Sequence, residues 1–229
     1  MGSHFTWFDL FNIEHHMTAV AGAIFSTCLV IIFCVAGRLA LGGGDHAVTP
    51  AARFSLKGIF EAFVEFMDDL TNKVLGHDGR AYLPLFGSMF FYIVFSNLIG
   101  LIPGLTSPTS NINAAFAIGL FSFVTYNIMG IRHAGIGYLK HFMGPVWWMA
   151  PVLLPIELLS NFIRPLTLGI RLSVNMTADH TILGTFIDMT KVIIPVIFYG
   201  MGTFVSLIQA FVFTMLSMVY VLMATADSH

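Results

Sequence analysis

The segment from Val192 to Ala226 is 35 residues long and contains no charged side chain. As a helix it would be about 52 Å long, whereas the hydrocarbon core of a bilayer is about 30 Å thick. An upright helix of this length would push much apolar surface into water. Burial of the whole segment needs a tilt of roughly 55°, outside the ordinary range of about 0–40°. We therefore expect a steeply tilted, almost in-plane helix.

The preceding segment, 146–187, is longer still, and Pro151, Pro155 and Pro165 give it places to bend. The two segments predict a long tilted hairpin, 146–187 and 192–226, with its turn at 188–191 on the outer side of the membrane. Such a hairpin leaves one water-accessible space above it and another below it, without a continuous pore.

The composition is that of a membrane protein. Of the 229 residues, 57% are hydrophobic and 10% charged, with a mean hydropathy of +0.85. We expect one membrane domain, 1–229, with an all-α polytopic fold of about five membrane-embedded helices. A net charge of -2 gives no electrostatic case for nucleic acid. No phosphate loop or zinc-type Cys spacing is present, so no cofactor or metal is expected, and His4, His15 and His16 are interpreted as surface residues.

Three further apolar segments are long enough to span a bilayer, at 18–41, 81–103 and 113–130. The segment 53–75 differs because its apolar residues repeat at helical spacing and its other face is acidic. This pattern predicts an amphipathic helix on the cytoplasmic surface, and the acidic face favours a protein neighbour over anionic lipid. The predicted apolar face consists of Leu56, Ile59, Phe60, Phe63, Met67, Leu70 and Val74.

The basic residues predict the orientation. They cluster at one end of the predicted spans, whereas the first 16 residues and the loop 104–112 have none. By the positive-inside rule, the N-terminus is outside the cytoplasm and the C-terminus inside it. A bacterial inner membrane is the expected location, with an aromatic belt at Trp147 and Trp148. The basic residues on the inner side are Arg38, Arg53, Lys57, Lys73, Arg80, Arg132 and Lys140.

A polar stripe runs along the segment from Pro155 to His180. At about 100° per residue, six polar side chains fall within roughly 40° of one line. Ionisable groups at bilayer depth cost at least about 2.5–3.5 kcal/mol each, so they indicate an ion or proton pathway. The alternative is a helix contact held by polar residues. The six residues are Glu157, Asn161, Arg164, Arg171, Asn175 and Asp179.

Three motifs identify a family resemblance: NLIGLIPG followed by PTSNIN, then RPLTLGIRLSVNM, then IQAFVFTMLSMVYV. With them, the chain resembles subunit a of the membrane sector of rotary (F-type) ATP synthases, the stator subunit that faces the ring of c subunits. The resemblance implies that Arg171 is the essential arginine beside the ring carboxylate and that Gln209 is its neighbour across the hairpin. A guanidinium suits this role because it stabilises a carboxylate and does not itself relay protons.

The resemblance also divides the stripe by depth into two half-channels. Glu157, Ser160 and Asn161 are expected to line the inner one. Arg164 is equally suited to anchoring the inner interface and to carrying protons. Gly202 stands where some relatives carry an ionisable group, and Asp179 would compensate for it. Asn111, Asn175, Asp179 and His180 are the expected outer residues, although His180 lies about 100° off the stripe and also suits a packing role.

The implied function is proton translocation through two offset half-channels, coupled to rotation of the ring. The implied partners are the c ring, the b subunits of the peripheral stalk, the rest of the ATP synthase and the lipid bilayer. The chain alone would catalyse nothing and bind no nucleotide. Two alternatives stay open: a secondary ion transporter or channel, for which no internal repeat is found, and a purely structural membrane subunit.

Overall fold

The computed structural model describes residues 17–41, 55–76, 79–102, 104–135, 150–189 and 193–226. The histidines His4, His15 and His16, the basic residues Arg53 and Lys140, and the belt residues Trp147 and Trp148 lie outside these ranges. The described part contains six α-helices and one short 3₁₀ turn, Pro108–Ser110. The helices are α1 Thr18–Leu41, α2 Leu56–Leu75, α3 Gly79–Leu101, α4 Ile112–Ala134, α5 Ala150–Met189 and α6 Ile193–Ala226.

Four of these helices are long and apolar enough to cross a membrane: α1, α3, α4 and α6. Helix α5, which carries the polar stripe, is not among them by composition. The prediction of an all-α polytopic membrane protein is confirmed. Helix α6 has 34 residues, about 51 Å of helix, so the length mismatch that motivated the tilted hairpin is present in the structure.

Local sequence sets where the helices begin and end. The Ser55 side chain accepts a hydrogen bond from the Gly58 amide, so α2 begins at Leu56. Helix α4 passes through Gly130, where the sequence predicted its end, and continues to Ala134. It stops there because Gly135 has φ 57, a left-handed conformation that glycine adopts without strain. The predicted turn at 188–191 begins with the end of α5, and the rest of it lies outside the described residues.

Helix α2 packs its apolar face against α1 and α3. Phe60 and Met67 are buried, and Phe60 lies 4.5 Å from Phe33 of α1, measured between ring centroids. Phe63 stacks at 3.9 Å on Phe91 of α3. Ile59 was predicted on this face but is 54% exposed, because it lies about 80° from Met67 around the helix.

Close backbone packing joins α4 to α5. A Cβ at Gly119 of α4 would lie 2.5 Å from the Pro165 carbonyl oxygen, and one at Gly169 of α5 would lie 2.9 Å from the Phe116 Cα. Only glycine allows this approach, so α5 lies directly on the backbone of α4. Helix α6 packs against α3, α4 and α5, which places the polar stripe beside the core of the bundle.

Candidate functional site

The polar stripe of α5 lies at the border between the buried and the exposed face of this helix. Asn161 faces inward and is buried, whereas Arg171 is exposed although its neighbours Leu172 and Ser173 are buried. Among the described residues, Arg171 has no ion pair and no side-chain hydrogen bond. The fixed positive charge therefore faces away from the rest of the chain.

Helices α5 and α6 form an antiparallel pair with one register along their whole contact. The Asn175 amide donates to Gln209 Oε1 at 2.8 Å, and the Arg164 guanidinium lies over the Tyr220 ring, 5.3 Å from its centroid. Near the far end, the Phe186 and Phe198 rings stack at 4.2 Å. The resemblance placed Gln209 beside Arg171, and the hydrogen bond of Gln209 goes to Asn175, one turn further along α5.

Asp179 and His180 contain two buried polar atoms without a described hydrogen-bond partner, Oδ2 of the carboxyl group and Nε2 of the imidazole. Both side chains are half-buried. His180 fits against α3 at Gly100, where an added Cβ would overlap the imidazole and the Ser107 Cβ. Carboxyl and imidazole groups are both able to take up and release protons.

At Gly202 of α6, a larger side chain would need the Leu101 side chain of α3 to move. A Cβ there would lie 2.7 Å from the Leu101 Cδ2 atom. Asp179 and His180 are the described acidic and imidazole groups on the candidate outer side of the hairpin.

A buried polar network lies next to His180, in the loop between α3 and α4. Ser107 donates to the Ser96 carbonyl at 2.8 Å, and its hydroxyl lies 2.6 Å from that of Thr109. Thr109 donates to Asn97 Oδ1 at 2.7 Å, and the Asn97 amide reaches the Ser206 carbonyl of α6 at 3.5 Å. All five residues are fully buried. Ser107 and Thr109 thus make this loop part of the interior.

Asn111 has a structural task at this end of the molecule. Its side chain caps α4 by accepting from the Asn113 amide at 2.9 Å. The contact with α5 is made by the preceding residue, because the Ser110 carbonyl accepts from Ser173 at 2.9 Å and from Thr177 at 3.3 Å. No side-chain hydrogen bond among the described residues joins Asn111 to Asp179 or His180.

A second polar cluster lies three turns before Arg171. The Tyr126 hydroxyl of α4 lies 3.1 Å from the Asn161 carbonyl and also bonds to the Asn161 side-chain oxygen. The Asn161 amide nitrogen lies 3.4 Å from Asn127 Oδ1. Tyr126 and Asn161 are both buried. Glu157 is half-buried and Ser160 exposed on the same part of α5.

Apolar packing separates the two polar clusters. Asn161 and Asn175 are about 21 Å apart along the helix. Leu168 and Leu172 of α5 and Phe213 of α6 lie between them and are at most 3% exposed. Buried hydroxyl groups also lie in this layer, namely that of Thr214 and those of Ser217 and Ser122, which bond to each other at 2.8 Å. Arg171 is at the same level on the outward side.

The predicted site residues thus fall into two groups with Arg171 between them. Asn161 and Asn175 bond to other helices, as the helix-contact alternative expected, but Glu157, Arg171 and Asp179 have no ion pair or side-chain hydrogen bond among the described residues. Sequence reasoning missed Tyr126, Asn127 and the buried loop. Two features of the sequence point to these residues. One is a polar residue within a spanning segment, and the other is the Asn161 carbonyl, which Pro165 leaves without a hydrogen-bond donor in the helix. Within the described ranges, no group of three or more His, Cys, Asp or Glu is placed to hold a metal.

The fold and the stripe define an all-α polytopic membrane protein with a polar stripe on one helix of a C-terminal hairpin. The family model for the ATP synthase A chain matches residues 18–222, and the chain belongs to this family. It is similar to ATP synthase subunit a of Bdellovibrio bacteriovorus, with 45% identity over 98% of this chain and 99% of that protein. It is also similar to ATP synthase subunit a 1 of Syntrophotalea carbinolica, with 40% identity over 76% and 74% of the two chains. Family membership makes the chain an integral membrane subunit of an ATP synthase.

Proposed function

We propose that this subunit conducts protons through two offset half-channels to a ring of c subunits and couples their flow to rotation of the ring. The observation that carries the proposal is Arg171, an exposed guanidinium on α5 that has no ion pair among the described residues. An unpaired charge inside a bilayer is costly, so a partner of opposite charge is expected outside this chain. A carboxylate on a c subunit is that partner.

Arg171 would act in two ways. It attracts the ring carboxylate in its ionised form, which makes the ring site release its proton. It also blocks direct passage of protons between the half-channels, because a guanidinium stays charged in proteins and does not relay protons. The Asn175–Gln209 hydrogen bond fixes the helix one turn away and so holds the arginine in place.

The outer half-channel is assigned to Asn175, Asp179 and His180, with Asn111 at its mouth. The buried polar atoms of Asp179 and His180 that lack a described partner support this assignment. The inner half-channel is assigned to Glu157, Ser160 and Asn161. The side chains of Leu168, Leu172 and Phe213 support the separation of the two paths, because apolar groups offer no relay for protons. The buried hydroxyl groups among them belong to Thr214, Ser122 and Ser217, and none of the three is ionisable.

The remaining parts of the proposal follow from the resemblance and the charge pattern. The subunit contacts the c ring through the exposed face of α5 and the b subunits of the peripheral stalk elsewhere. Its N-terminus lies outside and its C-terminus in the cytoplasm of a bacterial inner membrane. It binds no nucleotide and catalyses no reaction by itself.

Substitution of Arg171 tests this function. We expect Arg171→Ala to abolish proton-driven ATP synthesis in vesicles, while passive proton leak through the membrane sector persists or rises. Arg171→Lys should lower ATP synthesis nearly as much. A lysine ammonium group lacks the planar set of donors of a guanidinium, and it loses its proton more easily when desolvated. Arg132→Ala, at the exposed end of α4, is the matched control and should retain the parental rate. Synthesis at the parental rate in Arg171→Ala vesicles would show that the proposal is wrong.

A further inference from the structure

A closed ring of contacts joins three helices around Pro165. Asn161 of α5 bonds to Tyr126 of α4, and the Tyr126 ring lies 5.9 Å from the Tyr220 ring of α6. Tyr220 in turn lies under Arg164 of α5. Asn161 and Arg164 are three residues apart and therefore share one face of the helix. The four residues Asn161, Tyr126, Tyr220 and Arg164 are called the proline clamp below.

The proline clamp surrounds the point where the backbone hydrogen bonding of α5 is interrupted. Pro165 has no amide hydrogen, so the carbonyl four residues earlier, that of Asn161, loses its helical donor. A buried carbonyl without a donor is destabilising. The single hydrogen of the Tyr126 hydroxyl is shared between this carbonyl oxygen, at 3.1 Å, and the nearer side-chain oxygen of Asn161, so Tyr126 supplies part of the missing hydrogen bond. Tyr126 thus contributes to the hydrogen bonding of a helix to which it does not belong.

The position of the clamp relates it to proton transfer. It separates the candidate inner residues, Glu157 to Asn161, from Arg171, which follows Pro165 by six residues. The Tyr126 hydroxyl also bonds to the side-chain oxygen of Asn161, and so it orients an amide of the candidate inner path. Loosening of α5 at this point would change the inner path first, because the Asn175–Gln209 bond holds the outer half independently.

We propose that Tyr126 is a positioning residue of the inner half-channel, which holds Asn161 and the proline-interrupted part of α5 in place through its hydroxyl group. The role rests on the proposed function, since it requires that the first half of α5 borders the inner proton path. Arg164 contributes as an anchor on Tyr220 rather than as a proton carrier. A guanidinium over an aromatic ring gains a stabilising cation–π contact and keeps its charge.

The first test measures passive proton flux in vesicles that carry the membrane sector alone, with pH varied on one side at a time. Tyr126→Phe removes only the hydroxyl group. We expect it to lower the flux about fivefold, the scale of one lost hydrogen bond to a buried group, and to change its dependence on inner pH while the dependence on outer pH stays parental. The matched control is Tyr92→Phe on α3, a half-buried tyrosine outside the clamp, which should resemble the parent.

The second test asks whether Tyr126 acts by donating a hydrogen bond to the Asn161 carbonyl. Pro165→Ala restores an amide hydrogen four residues after Asn161. In this background, we expect Tyr126→Phe to change the flux by less than the fivefold expected in the parent, because the helix now supplies the backbone donor and only the bond to the Asn161 side chain is lost. The same cycle is measured on the thermal unfolding of the purified complex, where the loss in Tm caused by Tyr126→Phe should become smaller. Thermal unfolding does not depend on proton flux, so the four variants can be compared even where Pro165→Ala impairs flux.

The outcomes separate this role from its alternatives. A flux loss that is equal for inner and outer pH would mean that Tyr126 only supports the fold, and it would overturn the proposal. Flux in Tyr126→Phe equal to that in Tyr92→Phe, or an undiminished effect of Tyr126→Phe on Tm in the Pro165→Ala background, would also overturn it. The Arg171→Ala experiment tests the proposed function independently of Tyr126. If that variant fails as expected while Tyr126→Phe is parental, only the positioning role is wrong.

Discussion

At the scale of single residues, the charged groups of α5 differ in what surrounds them. Arg164 lies on an aromatic ring, Arg171 faces outward without a described partner, and Asp179 keeps one buried oxygen free. A polar contact between helices accounts for the first, but it leaves the other two unexplained. Because neither group has a described partner within the chain, we assign Arg171 to a contact with a partner subunit and Asp179 to proton transfer.

The carboxyl group of Asp179 gives a prediction for the outer path. Asp179→Asn keeps the size of the side chain but cannot take up and release protons. We expect proton-driven ATP synthesis to fall about tenfold, less than the roughly 10²–10⁴ typical of a lost proton-transfer group, because His180 beside it still titrates. The rate should change its dependence on outer pH but not on inner pH.

The control for this experiment is Asp69→Asn on α2, an exposed carboxylate paired with Lys73 at 2.6 Å. It should leave synthesis at the parental rate, since an exposed ion pair contributes little. A parental rate in Asp179→Asn at every outer pH would assign Asp179 to packing instead.

Most of the candidate site residues were accessible to sequence reasoning, because a charge in an apolar segment stands out wherever the chain folds. Tyr126 was not, since its role depends on Pro165, which is 39 positions away and on another helix. Ser107 and Thr109 were read as loop residues because hydroxyl groups occur in loops and in buried networks alike. Such partnerships are set by how helices pack, and the local pattern does not encode that.

At the scale of helices, the contact between α4 and α5 depends on glycine. Gly119→Ala would place a methyl group 2.5 Å from the Pro165 carbonyl oxygen, which is too close without a backbone shift. We expect it to lower the free energy of unfolding by about 1–3 kcal/mol, the usual cost of overpacking. The measurement is thermal unfolding of the purified complex.

Gly184 provides the matched control within α5. It is helical like Gly119, but an added Cβ there would meet nothing within 4 Å. Gly184→Ala should be neutral or stabilise the protein by up to about 1 kcal/mol, because alanine loses less backbone entropy in a helix. Equal effects of the two substitutions would contradict the packing explanation.

Helix α2 was predicted as amphipathic from its periodicity, and its burial pattern agrees in the main. The exception, Ile59, shows the limit of the method: periodicity finds the apolar side of a helix but not how much of it the rest of the chain covers. Spin labels test this arrangement. Labels at Phe60 and Met67 should report burial, and labels at Glu65 and Asp69 should report water. Equal water accessibility at all four positions would contradict the surface-helix assignment.

At the scale of the whole molecule, the described basic residues of α1, α3 and α4 gather at one end of the bundle. Arg38 lies in the last turn of α1, Arg80 begins α3, and Arg132 lies in the last turn of α4. Because α3 and α4 run in opposite directions on either side of the loop 104–111, the start of α3 and the end of α4 lie on the same side. The opposite end has the uncharged loop. This asymmetry is the sequence signal for orientation, and the helix order agrees with it.

Labelling from each side of the membrane tests the orientation. Cys28 and Cys34 are first changed to serine, because both are free and exposed. Single cysteines are then introduced by Asn113→Cys at the start of α4 and His133→Cys at its end, both at exposed positions. By the positive-inside rule, the first should react with a membrane-impermeant maleimide only from the outer side and the second only from the cytoplasmic side. Each position serves as the control for the other, since they differ in the side of the membrane but share one helix. Reaction of Asn113→Cys from the cytoplasmic side alone would invert the topology, and with it the assignment of Asp179 and His180 to the entry path.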